Sequence, residues 1–122
     1  MSPEPGRPGG SPAARAADSD GDALLQVLVA LGHWQRLRIL GALAGGREYV
    51  SQLARTLQIS RPLLHMHLQR LEAAGLVEGA AEIGPDGKAM KYFTVTDFAL
   101  RLTPDRIAAA ARTLTNLTQE NP

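Results

Sequence analysis

The sequence predicts a mainly α-helical domain that carries one small β-hairpin. Between residues 21 and 74, apolar side chains recur every three or four positions, the spacing of helices that bury one face. After Gly75 this spacing shortens to two, and residues 84–87, Gly-Pro-Asp-Gly, form a strong turn sequence. Thr103 and Pro104 then begin another helical stretch. We therefore expect four helices, a hairpin of two strands and a fifth helix, in that order.

Length and composition indicate one domain with an aliphatic core. A chain of 122 residues is long enough for one domain but not for two. Hydrophobic residues make up 44% of it and aromatic residues only 4%, so the core must consist mainly of Leu, Ile, Val and Ala. A domain this small buries a limited area, and a homodimer would add shared burial.

Charge and cysteine content exclude several classes of protein. The net charge of +1 is not that of a histone-like protein, so nucleic-acid binding requires positive charge gathered on one face. The absence of cysteine excludes disulfides, thiolate metal ligands and a cysteine nucleophile. No apolar run reaches the ~18 residues of a membrane span, and the N-terminus has no signal-peptide pattern. The cytoplasm is therefore the expected location.

The two ends of the chain differ from its middle. Residues 1–20 are rich in Pro, Gly, Ser and Ala, which predicts a disordered tail. Arg7 and Arg15 could contact a DNA backbone, although the composition favours a solvated tail. We expect the folded domain over residues 21–118 and a frayed C-terminus over residues 119–122.

The first two helices should supply core and interface. The first is expected to begin at Asp20 or Asp22 and to end near Gly32. It is apolar around more than half its circumference, so part of it should contact a second subunit. The second is expected over residues 34–43. Its predicted buried residues are Leu37, Ile39, Leu40 and Leu43, and its predicted outward residues are Arg36 and Arg38.

A third and a fourth helix, over residues 50–57 and 60–74, are joined by a short turn and form a helix-turn-helix. Ser60 is a good N-cap, and Pro62 suits the first turn. One face of the fourth helix is a row of leucines, and the opposite face is a row of hydrogen-bonding side chains. The inward row is Leu64, Leu68 and Leu71, and the outward row is Arg61, His65 and Gln69.

The hairpin and the last helix complete the predicted domain. Residues 78–96 form a wing whose returning strand begins at Lys88. The last helix is capped by Thr103, and its alanine-rich stripe permits close packing of another helix. The residues of that stripe are Ile107, Ala110, Ala111, Leu114 and Leu117. The predicted dimer interface combines the first and last helices through Leu24, Leu28, Ile107, Ala111 and Leu114.

This order of elements is a winged helix-turn-helix, and the sequence resembles the ArsR/SmtB family of bacterial transcription regulators over about residues 22–117. The resemblance rests on an ordered set of segments: 36–40 (RLRIL), 50–54 (VSQLA), 60–62 (SRP), 67–68 (HL), 71–77 (LEAAGLV), 87–88 (GK) and 92–93 (YF). It implies a homodimer formed by the first and last helices. Two recognition helices then enter successive major grooves, with half-sites about 10 bp apart. It also implies repression that is often relieved by metal.

The sequence departs from this family at the metal sensor. The resemblance places one sensor site in the helix before the recognition helix, as a pair of cysteines, and residues 48–53 contain none. A second uses Asp and His on the last helix, which here offers Asp105 and Glu120 but no histidine. We therefore expect no metal and no cofactor. A small-molecule effector, a separate sensor protein or no effector all stay open, as does activation instead of repression.

The predicted DNA contacts lie on the helix-turn-helix and the wing. Arg61 can reach guanine or phosphate, and Gln69 can pair with adenine. Serines near helix N-termini favour phosphate, and lysines of the wing suit non-specific phosphate contacts. The full set is Ser51, Arg55, Ser60, Arg61, His65, Gln69, Arg70, Lys88 and Lys91.

The histidines do not predict a metal site. His65 and His67 are two positions apart on one helix and point about 200° apart, so they cannot share a metal there. His67 lies nearer the leucine face and is expected to be a half-buried packing residue. A site that unites His33 with either of them has no spacing to support it.

The sequence thus predicts a homodimeric, sequence-specific regulator of transcription that binds double-stranded DNA. It contains no nucleophile elbow, phosphate-binding loop or paired-carboxylate pattern, so we expect no enzyme. The alternative from another class is a protein-interaction module, since Leu63 and Met66 lie near the recognition face.

Overall fold

The computed structural model describes residues 20–115, which form five helices and a three-stranded antiparallel sheet. The predicted mainly α winged helix-turn-helix is confirmed. Residues 1–19 of the predicted tail, Leu117, Glu120 and the predicted frayed end lie outside the described residues. In chain order the elements are α1 (Gly21–Leu31), α2 (Trp34–Leu43), β1 (Glu48–Tyr49), α3 (Val50–Leu57), α4 (Arg61–Ala73), β2 (Val77–Ile83), β3 (Ala89–Val95) and α5 (Pro104–Ala111).

Four helices begin at side chains that cap the first turn, and one of these caps is His33, whose Nδ1 accepts from Gln35 N in α2. Asp20 accepts hydrogen bonds from the N–H groups of Asp22 and Ala23 at the start of α1. The Oγ of Ser60 accepts from Leu63 N in α4, and Thr103 accepts from Arg106 N in α5. Because each cap satisfies backbone donors that have no partner within the helix, polar residues fix where these helices start.

The sheet has the order β1-β3-β2, so β3 lies in the middle. The hairpin pairs Val77 with Val95 at one end and Ile83 with Ala89 at the other. Strand β1 pairs Glu48 with Phe93 and Tyr49 with Tyr92. The sequence prediction missed β1 because two residues are too short to show any alternation, and its pairing partner lies more than 40 positions away in the chain.

The core lies between the helices and the inner face of the sheet. Its apolar side chains are almost all aliphatic, as the composition predicted, with Phe93 of β3 as the aromatic exception among the described residues. Within residues 20–115, no helix is both long enough and apolar enough to cross a membrane.

The prediction for α2 was wrong about two side chains. Leu37 is exposed, whereas Arg36 is buried. The buried residues of α2 are Arg36, Ile39, Leu40 and Leu43, spaced three, one and three apart, and Leu37 lies about 100° away from Arg36 around the helix. The hydrophobic pattern alone did not reveal that a cation occupies this inner face.

The predicted dimer interface also needs correction. Leu24 lies in the protomer's own core with Val27 and Ala30, so it has almost no surface left for a second subunit. Helix α5 ends at Ala111, and Leu114 therefore lies beyond it and not on its stripe. The helix stops there because Thr113 turns its hydroxyl onto Ala110 O, at 3.0 Å, and accepts from Gly21 N, at 2.7 Å.

Candidate nucleic-acid interface

Helix α4 has the two faces that the sequence predicted. Leu64, Leu68 and Leu71 are completely buried against the core. Arg61, His65 and Gln69 are exposed. The N-cap at Ser60 and the positive φ of Gly75, 78°, fix the two ends of this helix. The core thus holds the helix in place by one face and leaves the other face open to a ligand.

A cleft separates the N-terminal half of α4 from the wing. Its volume is about 270 Å³, and it is open to solvent along one side. It brings together four of the nine predicted DNA contacts, Ser51 of α3, Arg61 and His65 of α4, and Lys91 of β3. The cleft thus gathers two cations and two hydrogen-bonding groups from three elements in one place.

Gln69 and Arg70 face a different part of the surface. Both line a larger cavity between α1 and the C-terminal half of α4, together with Met66. Residues four apart on a helix drift by about 40°, so the row that begins at Arg61 has turned toward α1 by Gln69. The structure therefore divides the predicted outward row between two concave surfaces.

The remaining predicted contacts are absent from the lining of both concave surfaces. Arg55 on α3 and Lys88 beside the hairpin turn are exposed. Gly87 has a φ of 82° in this turn, and Asp86 accepts a hydrogen bond from Lys88 N, at 3.0 Å. The hydroxyl of Ser60 is used as the N-cap of α4. Turn geometry and capping therefore position Lys88 and Ser60 independently of any ligand.

A polar cluster on the wing was not predicted from the sequence. Arg47 forms an ion pair with Glu82, at 3.4 Å, and its guanidinium lies 4.3 Å from the ring centroid of Tyr92. The hydroxyl of Tyr49 donates to Glu82, which raises the pKa of Tyr49. These contacts join β1 to both strands of the hairpin, so they hold the wing in register with the helix-turn-helix. In the sequence, the aromatic residues of this region indicated strands, because aromatic residues favour strands, but nothing indicated the polar contacts.

A second unpredicted cluster lies beneath α4. His67 is 1% exposed, so the expectation of a half-buried residue understated its burial. Its Nδ1 accepts a hydrogen bond from Arg36 Nε, at 3.1 Å, and its ring centroid lies 4.6 Å from that of His33. Burial lowers the pKa of His67, and the neighbouring His33, Arg36 and Arg70 lower it further. The imidazole is therefore held neutral.

His33 and His67 are neighbours, an arrangement that sequence spacing could not indicate. The Nδ1 atoms of both are already hydrogen-bonded, that of His33 to Gln35 N, at 3.1 Å. No group of three or more His, Cys, Asp or Glu side chains among residues 20–115 is arranged to hold a metal ion. The two rings thus act as a packed pair within the core.

Comparison with known proteins finds a family that resembles part of this chain. Residues 34–79, from the start of α2 into β2, match the family described as "Bacterial regulatory protein, arsR family". No curated protein matches the chain significantly.

Solved structures share the fold beyond the matched segment. A crystal structure of a possible transcriptional regulatory protein (fragment 1–100) from Mycobacterium bovis is 27% identical, with a TM-score of 0.55, and the match covers 75% of this chain and 86% of that one. A solution NMR structure, described as the homodimeric winged helix-turn-helix DNA-binding domain (fragment 1–100) of a possible ArsR-family regulator from Mycobacterium bovis, is 26% identical, with a TM-score of 0.53 and coverage of 75% and 74%.

HlyU from Vibrio cholerae N16961, at 22% identity and a TM-score of 0.50 over 73% of this chain and 85% of that one, shares the fold. The family model and the Mycobacterium bovis fragment describe regulators of transcription and not enzymes. The resemblance seen in the sequence is confirmed: residues 34–79 match the arsR family model, and they lie within a winged helix-turn-helix fold.

Proposed function

We propose that this protein is a homodimeric, sequence-specific DNA-binding regulator of transcription that acts in the bacterial cytoplasm. Helix α4 enters the major groove, and the β2–β3 hairpin contacts the flanking backbone. The observation that carries the proposal is the cleft that joins Arg61 and His65 to Ser51 and Lys91. Arg61 reads a base edge or a phosphate, and Lys91 contacts phosphate.

The cleft provides local positive charge for DNA binding, although the net charge of the chain is low. The chain as a whole carries a net charge of only +1, but Arg61 and Lys91 lie on opposite walls of one cleft. Arg55 on α3 and Lys88 beside the hairpin turn are further exposed cations. Such local concentration of cations is what binding to a polyanion requires, whatever the total charge of the chain.

The dimer is supported by apolar surface that the protomer leaves uncovered. Ile107 on α5 is 50% exposed, Ala111 is exposed at the end of the same helix, and Leu28 and Leu114 are only partly buried. Exposed apolar residues on one face are typical of an association surface. The Mycobacterium bovis fragment, which shares this fold, is described as homodimeric.

The direct test is selection of DNA from a random library by the purified full chain, followed by affinity measurements over a series of salt concentrations. Each phosphate contact should lower log K by roughly 0.9 per tenfold increase in salt. A selected sequence bound more tightly than random DNA, with a steep salt dependence, is the expected result. Undetectable binding at low salt would refute the proposal.

A protein-interaction module is the second candidate, because Leu63 and Met66 are both exposed on α4. Apolar anchors of this kind commonly occur at protein interfaces. The same selection experiment separates the two, since an interaction module would enrich no DNA sequence. Activation instead of repression, and control by a separate sensor protein, are finer alternatives within the DNA-binding function.

A further inference from the structure

A concave surface between α1 and α4 has a volume of about 510 Å³. We propose that this cavity, lined by the apolar side chains of Leu25, Val29 and Met66 and by the guanidinium groups of Arg36 and Arg70, binds a small apolar carboxylate. The volume lies within the range of about 300–1,000 Å³ that is usual for small-ligand sites.

The first argument is a buried cation without a counter-ion. Arg36 is 8% exposed, and its guanidinium has only neutral partners, His67 Nδ1 at 3.1 Å and Val29 O at 3.3 Å. No carboxylate within residues 20–115 forms an ion pair with it. Burying an unpaired charge is costly, and proteins normally pair such a charge. An anion in the cavity would supply the missing partner.

The second argument is the charge of the lining. Arg70 adds a further guanidinium that makes no hydrogen bond or ion pair to the described residues. Asp22 is the one carboxylate of the lining, and Thr115 already engages both of its oxygens through its N–H and hydroxyl. The cavity therefore presents positive charge to a ligand, and guanidinium groups recognise carboxylates by paired hydrogen bonds.

The third argument is the apolar part of the lining. Leu25 is 48% exposed and Val29 is 59% exposed, although both belong to a helix that otherwise packs into the core. Met66 faces them from α4, and a methionine side chain adapts readily to ligands of different shape. A lining that combines two guanidinium groups with three apolar side chains matches a molecule that has one carboxylate and one hydrocarbon body.

The position of the site suggests what it does. Its two walls are α1 and the recognition helix, and Gln69 and Arg70 belong both to this lining and to the predicted DNA contacts. A carboxylate that engages Arg70 removes it from a phosphate, so ligand and DNA should weaken each other's binding by the same factor. This regulatory consequence rests on the proposed DNA-binding function, whereas the ligand site itself does not.

The test is calorimetric titration of the purified full chain with octanoate, with octanol and octylamine as probes of the same chain length. We expect saturable binding of octanoate and at least tenfold weaker binding of the neutral and cationic probes. Equal affinity for all three would overturn the proposal, because it would show non-specific apolar association. No binding of octanoate would also overturn it, as would a cavity already covered by a second copy of the chain.

Two pairs of variants locate the site. Val29→Asp places a carboxylate beside Arg36 and should abolish octanoate binding, while Val29→Asn, of the same size, should retain it. Arg70→Gln should weaken binding by about tenfold, the typical loss for a hydrogen bond to a charged group, whereas Arg101→Gln, at an exposed site away from the cavity, should not. Circular dichroism checks that each variant is folded, and equal octanoate affinity for Arg70→Gln and Arg101→Gln would refute the site.

The ligand site and the DNA-binding function can be refuted independently of each other. Binding of octanoate to protein that binds no DNA would leave the site standing and refute the regulatory consequence. Binding of DNA by protein that ignores octanoate would refute the site alone. If both bind, a selected DNA fragment should lower octanoate affinity, and an unchanged affinity would refute the coupling.

Discussion

Arg36 donates a hydrogen bond from Nε to the Nδ1 of His67, 3.1 Å away, in the core beneath the recognition helix. The same guanidinium donates to Val29 O through its second nitrogen, at 3.3 Å. One buried side chain of α2 thereby joins α4 to the end of α1. The orientation of the recognition helix depends on this contact as well as on leucine packing.

Stability should fall in mild acid because of His67. Its folded pKa lies below the ordinary value of 6.5, so the unfolded chain binds this proton more tightly. The stability that this difference in pKa contributes is fully present above pH 6.5. It is lost as the pH falls from 6.5 toward the lower pKa of His67 in the folded state. Urea unfolding at neutral and mildly acidic pH measures the loss.

His67→Asn is the control for that prediction, since an amide oxygen can still accept from Arg36 but does not titrate. The variant should be less stable at neutral pH because its side chain is smaller, by roughly 1–3 kcal/mol. Its stability should nevertheless change less with pH between 7 and 5.5 than that of the natural chain. Identical pH dependence in the two proteins would contradict the role given to His67.

Replacing Arg61 tests the reading face. If Arg61 contacts a base, Arg61→Ala should weaken binding to selected DNA by about 1–3 kcal/mol and affect random DNA less. Lys88→Ala, at the exposed tip of the wing, should weaken both equally and reduce the salt slope by about one contact. Fluorescence anisotropy on the two DNA types distinguishes them. Equal losses on both DNAs for Arg61→Ala would assign that residue to phosphate.

Replacing Ile107 tests the dimer. A glutamate at this exposed position of α5 would place a charge in the proposed interface, and Ile107→Glu should shift the sedimentation mass toward the monomer. Ile83→Glu is a matched control, because Ile83 is even more exposed, at 71% against 50%, but lies in the wing. If Ile107→Glu keeps the mass of the natural chain, α5 does not form the interface.

Replacing glycine with alanine should have opposite effects on stability at Gly21 and at Gly41. A Cβ on Gly21 would lie 2.0 Å from the carbonyl oxygen of Ala110, so Gly21→Ala must separate α1 from α5 and should cost about 1–3 kcal/mol. Nothing lies within 4 Å of a Cβ on Gly41, in the last turn of α2, and Gly41→Ala should stabilise the fold by up to about 0.5–1 kcal/mol. Thermal unfolding of the two variants measures both signs. A stabilised Gly21→Ala would contradict the close packing of the two helices.

Sequence reasoning succeeded where the signal was local. The bounds of α2 and α3 agree with those predicted, and α4 differs by one residue at each end, because apolar spacing and caps depend on residues within four positions of each other. It failed for α5, whose end depends on Thr113 meeting Gly21 from the other end of the chain. It also failed for Arg36, because a buried cation does not follow the hydrophobic pattern.

The sequence proposed individual residues for the candidate interface but did not indicate which of them lie together. Arg61, His65 and Lys91 were each expected near DNA, and the structure places them in one cleft with Ser51. Gln69 and Arg70 were expected beside them but line the cavity on the side of α1. The difference arises from the drift of a helix face over two turns and from the neighbours that each end of α4 meets.

The sequence by itself determined the helices, the hairpin, the leucine face of α4 and the family resemblance of residues 34–79. Those features follow from periodicity, capping and turn residues, which act over a few positions and can be read in order. Only the tertiary structure decided that Arg36 lies against His67, that Tyr49 meets Glu82, and that α4 divides its polar face between two cavities. Those relationships join residues about 30 positions apart or lie between elements, so they exist only once the chain is packed.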